Sequence, residues 1–276
     1  MGERSILITG CSSGIGLDAA RTLRARGWRV FAACRREADC ARLRDEGFES
    51  PRIDHGDMES IATGLAEVLA ATGGRLDALF NNGGHGLTGA VEDVPVEGLR
   101  EIFASNLFGW HELTRRVIPV MRAQGHGRIV QCSSVLGYGA MRWRGAYVAT
   151  KHALEGLTKV MRLELRGEPI EVVLIQPGPV TSDFRFKGRA MFEKYIDWEA
   201  SAHAEMYRTE LVPRLYGPQG KDSFELPAAA VTQKLIHALE ARRPRARYRV
   251  TLPAHVTWWA GRLLPGRLVE AITAQF

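Results

Sequence analysis

The chain predicts an α/β fold, a doubly wound parallel sheet with helices on both faces, built as a single domain across 1–276. Three observations lead there. Ser5-Ile-Leu-Ile-Thr9 is a short apolar run with the character of a buried parallel strand. The glycine-rich turn Thr9-Gly10-Cys11-Ser12-Ser13-Gly14-Ile15-Gly16 follows at once and opens an amphipathic segment over 17–26. Short strands and helices then alternate to about Val250, with no linker, repeat or low-complexity tract between them.

A second strand over 28–33 completes a strand, glycine turn, helix, strand unit, the context that a dinucleotide fingerprint requires. Gly10 permits the tight turn, Gly14 lets backbone approach a pyrophosphate, and Gly16 lets the helix pack on the sheet. The amides at the helix start, around Ser12, Ser13 and Ile15, then face the phosphates. Further strands are expected before Asp54, over 76–80, 127–134 and 171–175, and near Val250, with a helix over 227–241.

Tyr147 and Lys151 stand four apart in Gly145-Ala-Tyr-Val-Ala-Thr-Lys-His-Ala-Leu-Glu. On a helix they share one face. A positive charge beside a phenol favours the phenolate and draws the tyrosine pKa toward working pH. A phenol so tuned passes a proton to or from a carbonyl or alcohol oxygen. Alone, the spacing describes any surface pair; the glycine turn upstream gives it meaning.

The spacing Gly-x-x-x-Gly-x-Gly behind Thr9, followed in order by Tyr147-x-x-x-Lys151, resembles the short-chain dehydrogenase/reductase family over nearly the whole chain. The resemblance implies a Rossmann-type sheet of about seven strands. It implies a catalytic tetrad of Asn106, Ser134, Tyr147 and Lys151. Asn106, in Ala-Ser-Asn-Leu-Phe-Gly109, would kink its helix and hold a water in a proton relay. Ser134, thirteen residues before Tyr147, would bond the substrate oxygen as charge develops there, with Ser133 its structural alternative. Asn81-Asn82-Gly83-Gly84 resembles the family's Asn-Asn-Ala-Gly turn, which brings Asn82 and Gly83 to the cofactor. Gln176-Pro-Gly-Pro-Val-Thr-Ser182 resembles the segment that covers the nicotinamide, through Pro177, Gly178, Val180 and Ser182, with Thr181 as a substitute hydroxyl. Asp54 resembles the residue that bonds the adenine amino group; His55 follows it where the family often has Val.

The second strand runs into Cys34-Arg35-Arg36. A site for NAD usually carries an acid here for the ribose hydroxyls. Two guanidinium groups suit bidentate capture of a 2′-phosphate instead, so the expected cofactor is NADP(H), with Arg35 its principal ligand.

Net charge is +6, supplied mostly by arginine spread along the chain, and no nucleic-acid recognition motif accompanies it. Cys11, Cys34, Cys40 and Cys132 show neither metal-ligand spacing nor a disulfide framework, and read as small buried filler. The first strand begins by residue 5 and no run approaches membrane-spanning length, so a cytoplasmic protein is expected.

Specificity is expected in the lid segment 182–226, where Phe192, Tyr195 and Trp198 form an aromatic stripe. The stripe either covers an apolar pocket or anchors the segment. The tail 250–276 sets His255-Val-Thr-Trp-Trp-Ala-Gly-Arg-Leu-Leu-Pro265 beside a basic run, which suits peripheral membrane contact, packing on the body, or a subunit interface. Within the family, the loop, the Cys-Arg end of strand two and the tail resemble bacterial NADP-dependent aldehyde or ketone reductases near the hydroxysteroid and retinol dehydrogenases. That implies a lipophilic carbonyl substrate and a homodimer or homotetramer. Oxidation of a secondary alcohol or steroid, or a catalytically silent NADP-binding regulator, are the alternatives.

Overall fold

The computed structural model describes residues 4–217 and 222–273. β1 (Ser5–Thr9) turns into α1 (Gly14–Ala25), and β2 (Arg29–Ala33) pairs beside β1. α2 (Glu37–Asp45) and α3 (Met58–Ala71) precede β3 (Ala78–Asn81), which pairs on the other side of β1. α4 (Val96–Phe103) passes through a π-helical turn at Ala104–Phe108 into α5 (Gly109–Gln124). β4 (Gly127–Cys132), α6 (Gly145–Glu164) and β5 (Ile170–Gln176) follow. Beyond them lie α7 (Phe184–Tyr195), the short α8 (Ala204–Met206) and α9 (Val212–Tyr216), α10 (Ala229–Glu240), β6 (Arg247–Arg249), α11 (Leu252–Leu263) and α12 (Gly266–Thr273).

Among the described residues the sheet has the order β2-β1-β3-β4-β5-β6, every pair parallel. Six strands thus stand where about seven were expected. The run before Asp54 makes only isolated bridges, Phe31 to Glu49 and Cys34 to Arg52. Pro51 lies between them and has no amide to give a ladder.

The chain winds outward from β1 to β2, then crosses back to β3 on the far side. That reversal opens a crevice at the carboxyl ends of β1 and β3, where ligands of such sheets bind. Alternate strand residues serve the two faces. Ile6 and Ile8 join α1 residues Ala19 and Leu23 and α10 residues Val231 and Leu235. Leu7 points the other way, to Ile61 and Leu65 of α3 and Leu113 and Val117 of α5.

A third cluster binds the segment between β5 and α10 to the body. Phe192, Ile196, Tyr207, Leu211 and Leu215 pack with Leu87 and Ile102. The aromatic stripe of Phe192, Tyr195 and Trp198 therefore anchors rather than covers: Phe192 is buried, and the Tyr195 hydroxyl donates to Glu101 at 2.5 Å. The tail also packs on the body in part. Trp258 meets Tyr138 edge-on at 5.4 Å and carries Arg249 and Arg262 over its ring, whereas Trp259 and Leu263 stay exposed.

Tyr207 is fully buried; its hydroxyl donates to Asp93 and accepts from the Ala90 amide, both at 2.7 Å. Tyr207→Phe leaves that amide without its acceptor and is expected to destabilise the fold by about 1–3 kcal/mol. Urea unfolding measures the loss. Amide exchange should accelerate across 184–216 before it does in the sheet.

Candidate active site

Five strand ends supply one cavity of about 1610 Å3. That exceeds the roughly 300–1,000 Å3 of ordinary ligand pockets, leaving room for a long, two-part occupant. Gly10, Ser12, Ser13, Gly14 and Ile15 line it after β1, Arg35 and Arg36 after β2, Asn82 and Gly83 after β3, and Ser133 and Ser134 after β4. Pro177, Gly178, Val180 and Ser182 line it after β5, and Asp54, Tyr147 and Lys151 also reach it.

The turns after β1 and β3 touch. Gly10 has φ +72°, and a Cβ there would overlap Gly83 Cα. Thr9 is buried beneath them rather than on the cavity wall: its hydroxyl accepts from the amides of Asn82 and Gly83, each at 3.0 Å. Asn82 returns a bond from Nδ2 to the Thr9 carbonyl. Gly16 is likewise a packing position, closed in by the Gly10 carbonyl and the Asn82 amide. Of the loop residues expected to meet a cofactor, Thr9 and Gly16 thus shape the turn from behind.

The cradle suits an elongated anionic group. It offers the amides at the start of α1, glycine backbone free of side chains, and cations at the edges. Arg35 is exposed on the wall, whereas Arg36 is tied to Asp39 at 2.8 Å. A further cation lies outside every motif. Lys187 of α7 reaches back to donate to the Ser12 and Ser13 hydroxyls at 3.1 and 2.8 Å. A lysine inside an aromatic-rich helix carried no signal in the sequence. Asp54 caps its own turn, its Oδ1 accepting from the Gly56 amide. His55 is buried and accepts at Nδ1 from Trp110 Nε1; burial brings it down to about 4, so it is neutral.

Around the far end, Ser134, Tyr147 and Lys151 converge. Ser134 Oγ accepts from the Leu136 amide at 3.1 Å, which leaves its proton free to donate outward. Ser133 Oγ is buried against Gly137 with no partner among the described residues, which makes Ser134 the hydroxyl on the tyrosine's side. Lys151 is buried, and its ammonium donates to the Cys132 carbonyl at 2.8 Å and lies 4.2 Å from the Trp110 ring centre. The ring of Tyr147 is farther off, at 5.6 Å.

The expected lowering of the tyrosine pKa is not what this arrangement gives. Burial pushes the Tyr147 phenol above its ordinary value, with Cys132 adding to the rise and Ser134 and Arg144 opposing it. Burial brings the Lys151 ammonium down to about 8. Both groups are desolvated together, and desolvation favours the neutral form of each.

Asn106 occupies the π-helical turn, so the kink expected at this residue is present. Its side chain points to the neighbouring loop, not the cavity: Oδ1 accepts from the His85 amide at 3.1 Å, and Nδ2 donates to the His85 carbonyl at 2.8 Å. Those two bonds clamp the His85 loop to the π-helical turn. The cover segment closes by a bridge between Val180 and Leu226, and the Thr181 hydroxyl donates to Glu225 at 2.5 Å. The Thr181 hydroxyl is thereby engaged by Glu225, and Ser182 packs its Cβ against Gly14 on the same cavity wall. All four cysteines are buried free thiols, in keeping with a filler role.

Comparison with known proteins agrees with this architecture. The family model for short chain dehydrogenases matches residues 4–191. The uncharacterized oxidoreductase YbbO of Escherichia coli K12 is 37% identical, covering 98% of this chain and 94% of that protein. An NADPH-dependent 3-dehydrocapnine reductase of Ornithobacterium rhinotracheale is 29% identical over 98% of this chain and 95% of its own. Among solved structures, a short-chain dehydrogenase from Streptomyces avermitilis superposes with a TM-score of 0.76 at 28% identity, covering 98% of this chain and 95% of that one. A parallel sheet with its crevice at the switch point, a glycine cradle and a Tyr-Lys helix lining one cavity, together with these matches, place the chain in the short-chain dehydrogenase/reductase family, oxidoreductases that act on CH–OH or carbonyl groups with a nicotinamide cofactor.

Proposed function

We propose that this protein is an NADP(H)-dependent reductase that converts a lipophilic aldehyde or ketone to the alcohol. The observation that carries the reading is the convergence of Ser134, Tyr147 and Lys151 on a cavity whose other end is edged by Arg35 and Lys187. The cofactor when bound supplies hydride to the carbonyl carbon. The chain's own residues handle the oxygen. Ser134 donates a hydrogen bond to it, and Tyr147 gives it the phenolic proton, which completes the alcohol. A raised phenol pKa suits that direction, because the proton is on the tyrosine at neutral pH. Lys151 holds positive charge beneath the site, and Asn106 fixes the His85 loop on the cavity floor. Arg35 and Lys187 bind the phosphates, with Asp54, Asn82, Gly83, Pro177, Gly178, Val180 and Ser182 completing the cofactor groove. The relative named as an NADPH-dependent reductase supports both the cofactor and the direction.

Residues 182–226 act as the lid, and Phe184, Phe186 and Phe224 are its aromatic contribution to the cavity. The reading includes a cytoplasmic homodimer or homotetramer. The exposed Trp259 and Leu263 of the tail offer a subunit contact or a peripheral membrane contact.

The deciding experiment is NADPH consumption against aliphatic aldehydes, retinal and steroid ketones. Tyr147→Phe should lower turnover by about 10²–10⁴-fold while NADPH binding, read by fluorescence, persists. Turnover unchanged in that variant would sink the mechanism. Arg35→Glu should weaken NADPH by about 10- to 100-fold and NADH far less. Lys187→Met should weaken both cofactors by a similar, smaller factor if its ammonium meets the pyrophosphate, and NADPH alone if it meets the 2′-phosphate.

Lys151 gives a pH-dependent test. Its pKa falls from 10.5 to about 8 on folding, so the unfolded chain binds the extra proton between those values. The penalty is complete below about pH 8 and fades as pH rises toward 10.5. Lys151→Met should therefore raise stability at pH 7 by about 1–3 kcal/mol, with the gain vanishing near pH 10.5, while activity is lost.

A further inference from the structure

Arg144 stands three residues before Tyr147 at the start of α6, and its guanidinium lies in the wall of the same cavity. Its hydrogen bond is to a neutral group, the Thr88 hydroxyl, at 2.6 Å. Among the described residues no carboxylate forms an ion pair with it. The neighbouring cations are not so placed. Arg185 makes two 3.1 Å bonds to Asp222, and Arg214 reaches the same carboxylate at 3.4 Å. Arg185 and Arg214 thus both pair with Asp222 beside the tyrosine, while Arg144 stands outside that pairing. Arg144 is held down to about 10, first by burial and then by Arg214 and Arg185. A half-buried guanidinium in that position is stabilised by an anion.

The backbone commits residues to this placement. Trp143 adopts φ +67°, a conformation costly for a bulky side chain, with its ring against Tyr207 at 4.7 Å. Phe184 sits edge-on to Tyr147 at 5.2 Å and 3.1 Å from where a Gly86 Cβ would stand; Arg144 Nη1 is 3.9 Å from that point. Cation, aromatic ring and phenol therefore surround one small volume. Leading out of it, Phe186, Phe224, Leu252 and Val256 line the cavity while remaining exposed, an apolar rim built from the cover segment and α11.

The geometry points to a substrate with two unlike ends: a carboxylate or similar oxyanion held by Arg144 near the reacting carbonyl, and an apolar chain running out over Phe186, Phe224, Leu252 and Val256. The inference rests on the reductase reading and narrows its substrate to anionic, lipid-like oxo compounds. Arg144 binds and orients the anion; it exchanges no proton.

The test uses the full chain with NADPH and twelve-carbon oxo-carboxylates whose carbonyl lies three to six carbons along, each beside its methyl ester. For the matching spacing, kcat/KM for the acid should exceed that for the ester by about 10- to 100-fold. Arg144→Met should erase the ratio and Arg144→Lys restore part of it. Because the comparison is a ratio, any effect of Arg144 on Tyr147 cancels. A binding measurement stands apart from turnover: dodecanoate and 1-dodecanol are titrated into the enzyme with NADP+, and dodecanoate should bind more tightly only when Arg144 is present. Equal use of acid and ester, with turnover dependent on Tyr147, overturns the anionic-end proposal and leaves the reductase standing. Absence of turnover with every carbonyl, alongside Arg144-dependent dodecanoate binding, overturns the reductase reading and keeps the anion site. Equal binding of dodecanoate and dodecanol removes the site whatever the turnover.

Discussion

The contact between the turns after β1 and β3 positions everything else. Gly10 and Gly83 meet backbone to backbone, and one buried hydroxyl, that of Thr9, accepts from two successive amides of the facing turn. Strand ends on either side of the switch point are thereby fixed against each other. Through β4 and β5 the same parallel register carries Ser134 and Pro177 to the same edge of the sheet. The cavity is the space those strand ends leave when their turns are held in this order.

A second constraint is desolvation. Lys151, buried between the Cys132 carbonyl and the Trp110 ring, bears a charge that the surrounding protein disfavours. The fold tolerates it because the carbonyl and the indole face compensate in part. Trp110 is itself held by bonds from Nε1 to the Gly83 carbonyl and His55. One indole therefore links the lysine to the turn that shapes the cradle. Placing a weak acid and an ammonium together in a dry wall is costly, and it is also how proton affinities are moved apart at functional sites.

The sheet and its crevice were legible in the sequence because they rest on short-range signals: apolar runs, a glycine turn of fixed spacing, and two residues one helical turn apart. The loss of the seventh strand was not, since the stretch before Asp54 reads as extended although Pro51 interrupts its ladder and leaves only isolated bridges. The direction of the Tyr147 shift was missed for a different reason. Spacing along a helix tells which residues share a face, but not that Lys151 would bend toward Cys132 or that both groups would lose water together. The aromatic stripe of Phe192, Tyr195 and Trp198 showed amphipathic character without saying which neighbour its apolar side would meet. Lys187 and Arg144 escaped notice because their roles come from elements far apart in the chain.

The bridge between Val180 and Leu226 has a consequence for how such proteins diversify. Thr181 donates its amide to the Leu226 carbonyl, and Leu226 donates its own to Pro179, so the ends of the excursion are clasped side by side. What lies between is a cassette mounted on a fixed hinge plate. Its interior can be lengthened, shortened or rewritten while the strands below keep their register, because closing a longer loop costs little once its ends are pinned. New chemistry at the mouth of the cavity can thus be acquired without renegotiating the foundation on which the reaction rests.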